Sequence, residues 1–204
     1  STSSAASDVY KRQLLHEVKG KSEIITFNNP NKLNVLSDEM LELLLNALEK
    51  SSSNPKTKVV IIKSTGKAFC AGHDLKELQN ARINSDDGIG YFKDLFKRCS
   101  KVMLKIKNLP KPVIAEVQGI ATAAGCQLVA TCDIAIASKN ASFGVNGVNI
   151  GLFCSTPMVA LSRNIGRKKT FEMLVTGDFL TANDAKEAGL VNHVTEENEL
   201  SKKT

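Results

Sequence analysis

The chain has 204 residues and a net charge of +6, with 42% apolar and 24% charged residues. That is enough length for one sizeable core and an ordinary globular composition. Trp is absent and aromatics are few, which argues against a base- or sugar-stacking surface, and no apolar run reaches the length of a membrane helix.

The basic residues gather at 101–111, at 163–169 and at the C-terminus. They read either as solvated helix faces or as an attraction for an anion. No RNA- or DNA-binding motif accompanies them, so a phosphate-bearing small molecule is favoured over nucleic acid. Five cysteines (Cys70, Cys99, Cys126, Cys132, Cys154) without a C-x-x-C spacing read as reduced, mostly buried thiols of an intracellular protein,. His16, His73 and His193 are scattered, which leaves no metal-ligand spacing,.

In chain order, residues 1–10 are Ser/Ala-rich and read as disordered, and the start without Met fits a processed or incomplete chain,. Residues 13–18 and 23–27 flank Lys19-Gly20-Lys21 and predict a hairpin. Ser37 is an N-cap, with Asp38 and Glu39 in the first turn of a helix whose stripe is Met40, Leu41, Leu44, Leu45 and Leu48,. It ends near Lys50, and 51–56 reads as a polar link. Residues 58–64 (KVVIIKS) predict a strand covered on both faces. Residues 67–78 (KAFCAGHDLKEL) read as a glycine-bearing turn leading into a short helix from Asp74.

A polar, mobile stretch at 80–90 precedes a long amphipathic helix carrying Tyr91, Phe92, Leu95, Phe96, Cys99, Val102, Met103 and Ile106, stopped by Pro110 and Pro112,. A strand at 113–117, a small-residue loop at 119–125, a helix at 126–131 and a strand at 132–138 follow, then turns over 139–151. Helices at 156–164 and 168–175 are separated at Gly166. Thr181 caps a short helix with Asp184 at the capping-box position, Gly189 stops it, and 190–194 reads as a last strand,. The alternation of strand and helix predicts an α/β fold in one domain.

Two loops, 69–74 and 119–127, share a design: each follows a buried strand, contains small residues and leads into a helix. The first backbone N–H groups of a helix have no partner within it and favour negative charge. Two such donors converging on one carbonyl oxygen would form an oxyanion hole. The competing reading is that small residues only permit tight strand–helix packing.

Four segments, KAFCAGHDLKEL, PVIAEVQGIATAAGCQLVATCDIAIAS, ASFGVNGVNIGLF and TGDFLTANDAKEAGLVNHV, occur in the order found in the enoyl-CoA hydratase/isomerase, or crotonase, family. The resemblance covers residues 22–194. It implies a spiral of β-β-α turns, spanning 11–196, with 197–204 as the start of a helical trimerisation segment whose remainder is missing from this chain. It implies an acyl-CoA thioester ligand of fatty-acid metabolism, no cofactor beyond the CoA moiety, and a homotrimer for a full-length chain. The location it implies is the mitochondrial matrix in a eukaryote and the cytoplasm otherwise.

By motif position the oxyanion donors map to the backbone N–H groups of His73 and Ala124, while Lys32, Ala71, Gly72, Asp74, Leu75 and Lys76 lie in the segments that line the CoA site. The two glutamates with which family hydratases activate and deliver water fall at Gln127 and Gly147, neither of which can titrate. Gln127 can still orient a water or carbonyl through its amide, or simply bond within its helix. Cys154-Ser155 needs a base beside it to act as a nucleophile. Enzymatic chemistry that needs only the oxyanion hole (decarboxylation or thioester hydrolysis), acyl-CoA binding without turnover, and a fold retained for interaction alone are the readings these residues leave.

Overall fold

The computed structural model describes residues 13–204, so the segment expected to be disordered, 1–10, lies outside the described residues. β1 (Leu14–Lys19) and β2 (Ser22–Phe27) form the expected hairpin, with Leu14 opposite Phe27. α1 (Asp38–Ser53) starts where Ser37 accepts a hydrogen bond from the Met40 N–H at 3.1 Å. It buries Met40, Leu41, Leu44, Ala47, Leu48 and Ser51, the i, i+1, i+4, i+7, i+8 and i+11 face,. Residues 51–53 therefore belong to this helix rather than to a linker; their serines lack a breaker, and Ser51 points inward.

From β2 onward one unit repeats: a strand in a first sheet, a short extended piece in a second, then a helix. β3 (Val59–Ser64) leads to β4 (Ala68–Cys70) and α2 (Leu75–Ala81). α3 (Ile89–Lys107) returns across the layer to β5 (Val113–Val117), β6 (Ile120–Thr122) and α4 (Ala124–Thr131). The third unit is β7 (Ile134–Ser138), β8 (Ser142–Gly144) and α5 (Ser155–Leu161), extended by α6 (Arg167–Thr176). β9 (Leu180–Thr181), α7 (Ala182–Glu187), β10 (His193–Thr195) and α8 (Leu200–Lys203) complete the order.

The first sheet runs β1-β2-β3-β5-β7-β10 and is parallel beyond the hairpin; the second runs β4-β6-β8-β9, parallel except for β9. Even the first turn shares the pattern, because Leu36 makes a parallel bridge to His73 just before α1. Phe27, Phe69 and Phe143 are fully buried in the core, and the Phe27 and Phe69 rings meet at 6.1 Å.

The helices lie where expected because their signals are local, although α1 runs on to Ser53 and Phe96 of the expected α3 stripe is exposed. Asp86 accepts the Gly88 and Gly90 N–H groups at the start of α3, and Thr181 with Asp184 forms the capping box of α7. The small strands differ. Residues 119–125 contain β6, and 139–151 contain β8 and a 3-10 turn, Asn146–Ile150. β3 alternates between fully and partly buried residues, so only one of its faces is closed. The last strand lies at His193–Thr195 because Leu190 and Val191 bond back to Ala185 at the end of α7.

Candidate functional site

The parallel register of the second sheet brings strand ends together. Cys70 pairs with Ala121, and Thr122 with Gly144, so the residues that follow β4, β6 and β8 emerge side by side. After β4 the chain is tied to the segment before α1. The Ala71 N–H donates to Leu33 O at 3.1 Å, and the Leu36 N–H to Gly72 O at 2.7 Å. The Asp38 N–H reaches the Glu77 carboxylate at 2.9 Å. Buried Asn34 closes the same junction: its side chain accepts the Asn29 N–H and donates to Thr65 O and Ala68 O, each at 2.8 Å. Sequence reasoning missed this role, although the asparagines of NNPNKLN were a signal for local backbone pairing.

Gly72 has φ +88° and faces the second loop so closely that a Cβ there would lie 2.9 Å from Ala123 Cβ and 3.4 Å from Ala124 N. A Cβ on Gly125 would lie 2.1 Å from Cys70 O. Glycine is required at both places for the loops to touch backbone to backbone.

His73 and Ala124 are thereby brought into one neighbourhood, and neither backbone N–H donates a hydrogen bond among the described residues. Ala123 sets the direction of the second. It has φ +50° and ψ −121°, and its own N–H is held by Gly144 O at 3.0 Å. α4 then begins without a side-chain cap, which leaves its first N–H groups unsatisfied.

The His73 side chain turns elsewhere. Nδ1 lies 3.4 Å from Leu36 O, the ring meets Phe96 edge-on at 5.9 Å, and Nε2 is buried without a partner. Burial lowers its pKa, against the raising effect of the Leu36 carbonyl, so the ring is neutral at pH 7 with the proton on Nδ1 facing that carbonyl. Asp74 is the N-cap of α2, accepting the Lys76 N–H at 2.9 Å, and its other oxygen lies 3.7 Å from Lys32 Nζ. Lys32, Leu75 and Lys76 are exposed at the rim, Ala71 is half-buried, and Gly72 and Asp74 are buried.

Gln127 sits one turn beyond Ala124 on α4, 7% exposed, with Oε1 lacking a partner. Gly147 lies in the 3-10 turn, where a Cβ would sit 2.2 Å from Leu152 O and 2.8 Å from Cys154 Sγ. The Leu152 N–H donates to Gly147 O at 2.9 Å, so the turn folds its own backbone into the space a side chain would need. Thr122 Oγ1 donates to Asn146 Oδ1 at 2.6 Å, linking this turn to the end of β6. The Cys154 thiol is pushed up by burial, and no ionisable base bonds it. Among the described residues no group of three His, Cys, Asp or Glu side chains is arranged to hold a metal ion, and no helix is long and apolar enough to cross a membrane.

The two-sheet β-β-α spiral and the paired small-residue loops define a class. Residues 19–204 match the enoyl-CoA hydratase/isomerase family, and the chain belongs to it, with a crotonase-like fold. Among its relatives, enoyl-CoA hydratase domain-containing protein 3, mitochondrial, of Danio rerio is 46% identical over 190 residues, 93% of this chain and 64% of that protein. The Homo sapiens protein of the same name is 48% identical over 180 residues, 88% of this chain and 58% of that one.

Of solved structures, the enoyl-CoA hydratase of Mycobacterium smegmatis superposes with a TM-score of 0.89 at 49% identity, over 95% of this chain and 74% of that one. Human enoyl coenzyme A hydratase domain-containing protein 3 superposes with a TM-score of 0.88 at 45% identity, over 94% and 74%. The chain thus spans 58–64% of the length of the Danio and human relatives.

Proposed function

We propose that the protein binds an acyl-CoA thioester and polarises its carbonyl between the His73 and Ala124 N–H groups. The observation that carries this reading is the contact of the two loops, with the Gly72 Cβ position 3.4 Å from Ala124 N and neither donor bonded among the described residues. Two backbone donors fixed by rigid strands need no reorganisation as charge develops on the thioester oxygen. In this reading Ala71, Gly72, Asp74 and Leu75 line the CoA passage, Lys32 and Lys76 at the rim meet its phosphates, and no other cofactor takes part. The vertebrate relatives are named mitochondrial, which supports a mitochondrial location if the source is eukaryotic; the same reading takes that to be the matrix, and the cytoplasm in another source. A full-length chain assembles as a homotrimer in the same reading.

Water addition needs a group to take a proton and one to give it. An amide at 127 and a bare glycine at 147 supply neither. The chemistry left is that of a polarised carbonyl alone. In a malonyl-type thioester, the bond to the carboxylate breaks, CO₂ leaves, and the electron pair moves onto the thioester oxygen held by the two N–H groups. Solvent then protonates the enolate carbon. Hydrolysis with a water oriented by Gln127 is the other such reaction, and binding without turnover is the second reading, favoured by the same missing carboxylates.

Calorimetry with octanoyl-CoA and turnover of crotonyl-CoA and malonyl-CoA test this. Binding with negligible hydration is expected. Hydration at the rate of a family hydratase would falsify the reading of positions 127 and 147, and absence of thioester binding leaves only an interaction role.

A further inference from the structure

A cavity of about 530 Å³ lies between α3, α4 and α5. Helical geometry relates it to the thioester site. Ala124, Gln127 and Thr131 stand at i, i+3 and i+7 of α4, on one face, with Thr131 about 10 Å beyond Ala124 along the axis. Gln127 and Thr131 both line the cavity. Gln127 and Thr131 thus connect the start of α4 to this cavity, the route an acyl chain takes in the proposal below.

The lining is of two kinds. Met103 and Val159 contribute apolar wall, which suits methylenes. Lys107, at the end of α3, and Arg163, just past α5, bring two cations to the same cavity. Neither enters an ion pair among the described residues. Asp133 also lines it, its Oδ2 engaged by the Val113 N–H at 2.7 Å; one carboxylate against two cations leaves the charge balance positive. Gln127 adds a buried amide end without a partner. A buried polar atom left unpaired is a cost that a polar ligand group removes, and rotation of the amide lets that end accept or donate.

We propose that this cavity selects acyl groups ending in a second carboxylate, that is, dicarboxylic acyl thioesters, with the distal carboxylate held by Lys107 and Arg163. The proposal rests on the acyl-CoA reading above. An arginine suits a carboxylate because its planar fork donates two parallel hydrogen bonds. Apolar walls with a cationic end match a polymethylene chain capped by an anion better than a plain alkyl chain.

The test is calorimetry of the purified protein with adipoyl-CoA and suberoyl-CoA against hexanoyl-CoA and octanoyl-CoA. The expected result is about fivefold tighter binding of at least one dicarboxylic member than of its matched plain chain, a gain that shrinks as salt is raised. In Lys107→Ala/Arg163→Ala, shown folded by circular dichroism, the ratio falls to about one; Arg163→Lys retains part of it. Equal affinities within both pairs overturn the proposal while leaving the acyl-CoA reading standing. A ratio that survives in the folded double variant overturns the assignment to Lys107 and Arg163. Failure of every thioester to bind removes the acyl-CoA reading itself, and the proposal with it.

Discussion

Ala123 carries the most strained backbone beside the site. Its φ of +50° with ψ −121° belongs to a region that glycine adopts freely and that costs another residue about 1–3 kcal/mol. The strain aims the next N–H, that of Ala124, out of α4. Ala123→Gly releases it while adding freedom to the unfolded chain, so the expected net effect is a gain of about 1 kcal/mol in urea denaturation. Lower stability in that variant would show the conformation to be comfortable for alanine.

Positions 127 and 147, where the family resemblance places the hydratase glutamates, behave differently by the same kind of argument. Gln127→Glu is nearly isosteric and folds, but it leaves the second position empty, so crotonyl-CoA hydration stays far below that of a hydratase. Gly147→Glu drives a side chain into the Leu152 carbonyl, 2.2 Å from its Cβ, and is expected to cost about 3 kcal/mol or more, read as a lowered denaturation midpoint. A carboxylate at 147 is therefore excluded by the backbone of the 146–150 turn and cannot be installed there by one mutation.

Among the elements, the junction of β2, α1 and β3 is held by one buried charge. Glu23 is 1% exposed and accepts hydrogen bonds from Thr57 Oγ1 at 2.6 Å, His16 Nε2 at 2.8 Å, Asn54 Nδ2 at 2.9 Å and from Ser51. Lys111 Nζ lies 3.9 Å away and bonds Ser51 O and Asn54 O. Burial alone raises the Glu23 pKa, but the bonds from Ser51, Thr57, His16 and Asn54 together lower it from 4.5 to about 2.

A depressed folded-state pKa means stability that is fully present above the unfolded value and lost as pH falls toward the folded one. The interval from 4.5 to 2 is thus expected to remove about 3 kcal/mol. Urea denaturation at stepped pH checks this: the wild type weakens steeply there, and Glu23→Gln is flatter. This junction lies in the first sheet, apart from the β4–β6–β8 strand ends, so acid acts first on the frame rather than on the two small-residue loops. At the far end of the chain, Thr181→Ala removes one half of the α7 capping box, for an expected cost of about 1 kcal/mol in the same assay.

At the scale of the whole molecule, the legible parts of the sequence were those written locally. The α1 cap at Ser37, the Thr181–Asp184 box and the buried stripe of α3 each declare themselves within a few residues. β4, β6 and β8 do not, because three-residue strands have no period to read and, exposed Ile120 apart, are built of small or buried residues,. The same gap separates the two small-residue loops. Motif resemblance singles out His73 and Ala124, yet nothing local states that Gly125 packs on Cys70 O or that Gly72 meets Ala123. Those contacts arise only when the second sheet brings separate loops into register.

It follows that ligand binding should report on the sheet as a unit. An acyl-CoA held between the two loops as proposed would stabilise only the folded state, by about 2.7 kcal/mol at a hundredfold excess over Kd. Hydrogen exchange with saturating octanoyl-CoA is expected to slow most at 71–76 and 122–127, where the proposed donors lie, and little around Glu23. Gly125→Val, which forces Cys70 O away from α4, is expected to abolish that protection even where the first sheet keeps its slow exchange. Protection confined to one loop would mean that the thioester is held from one side only.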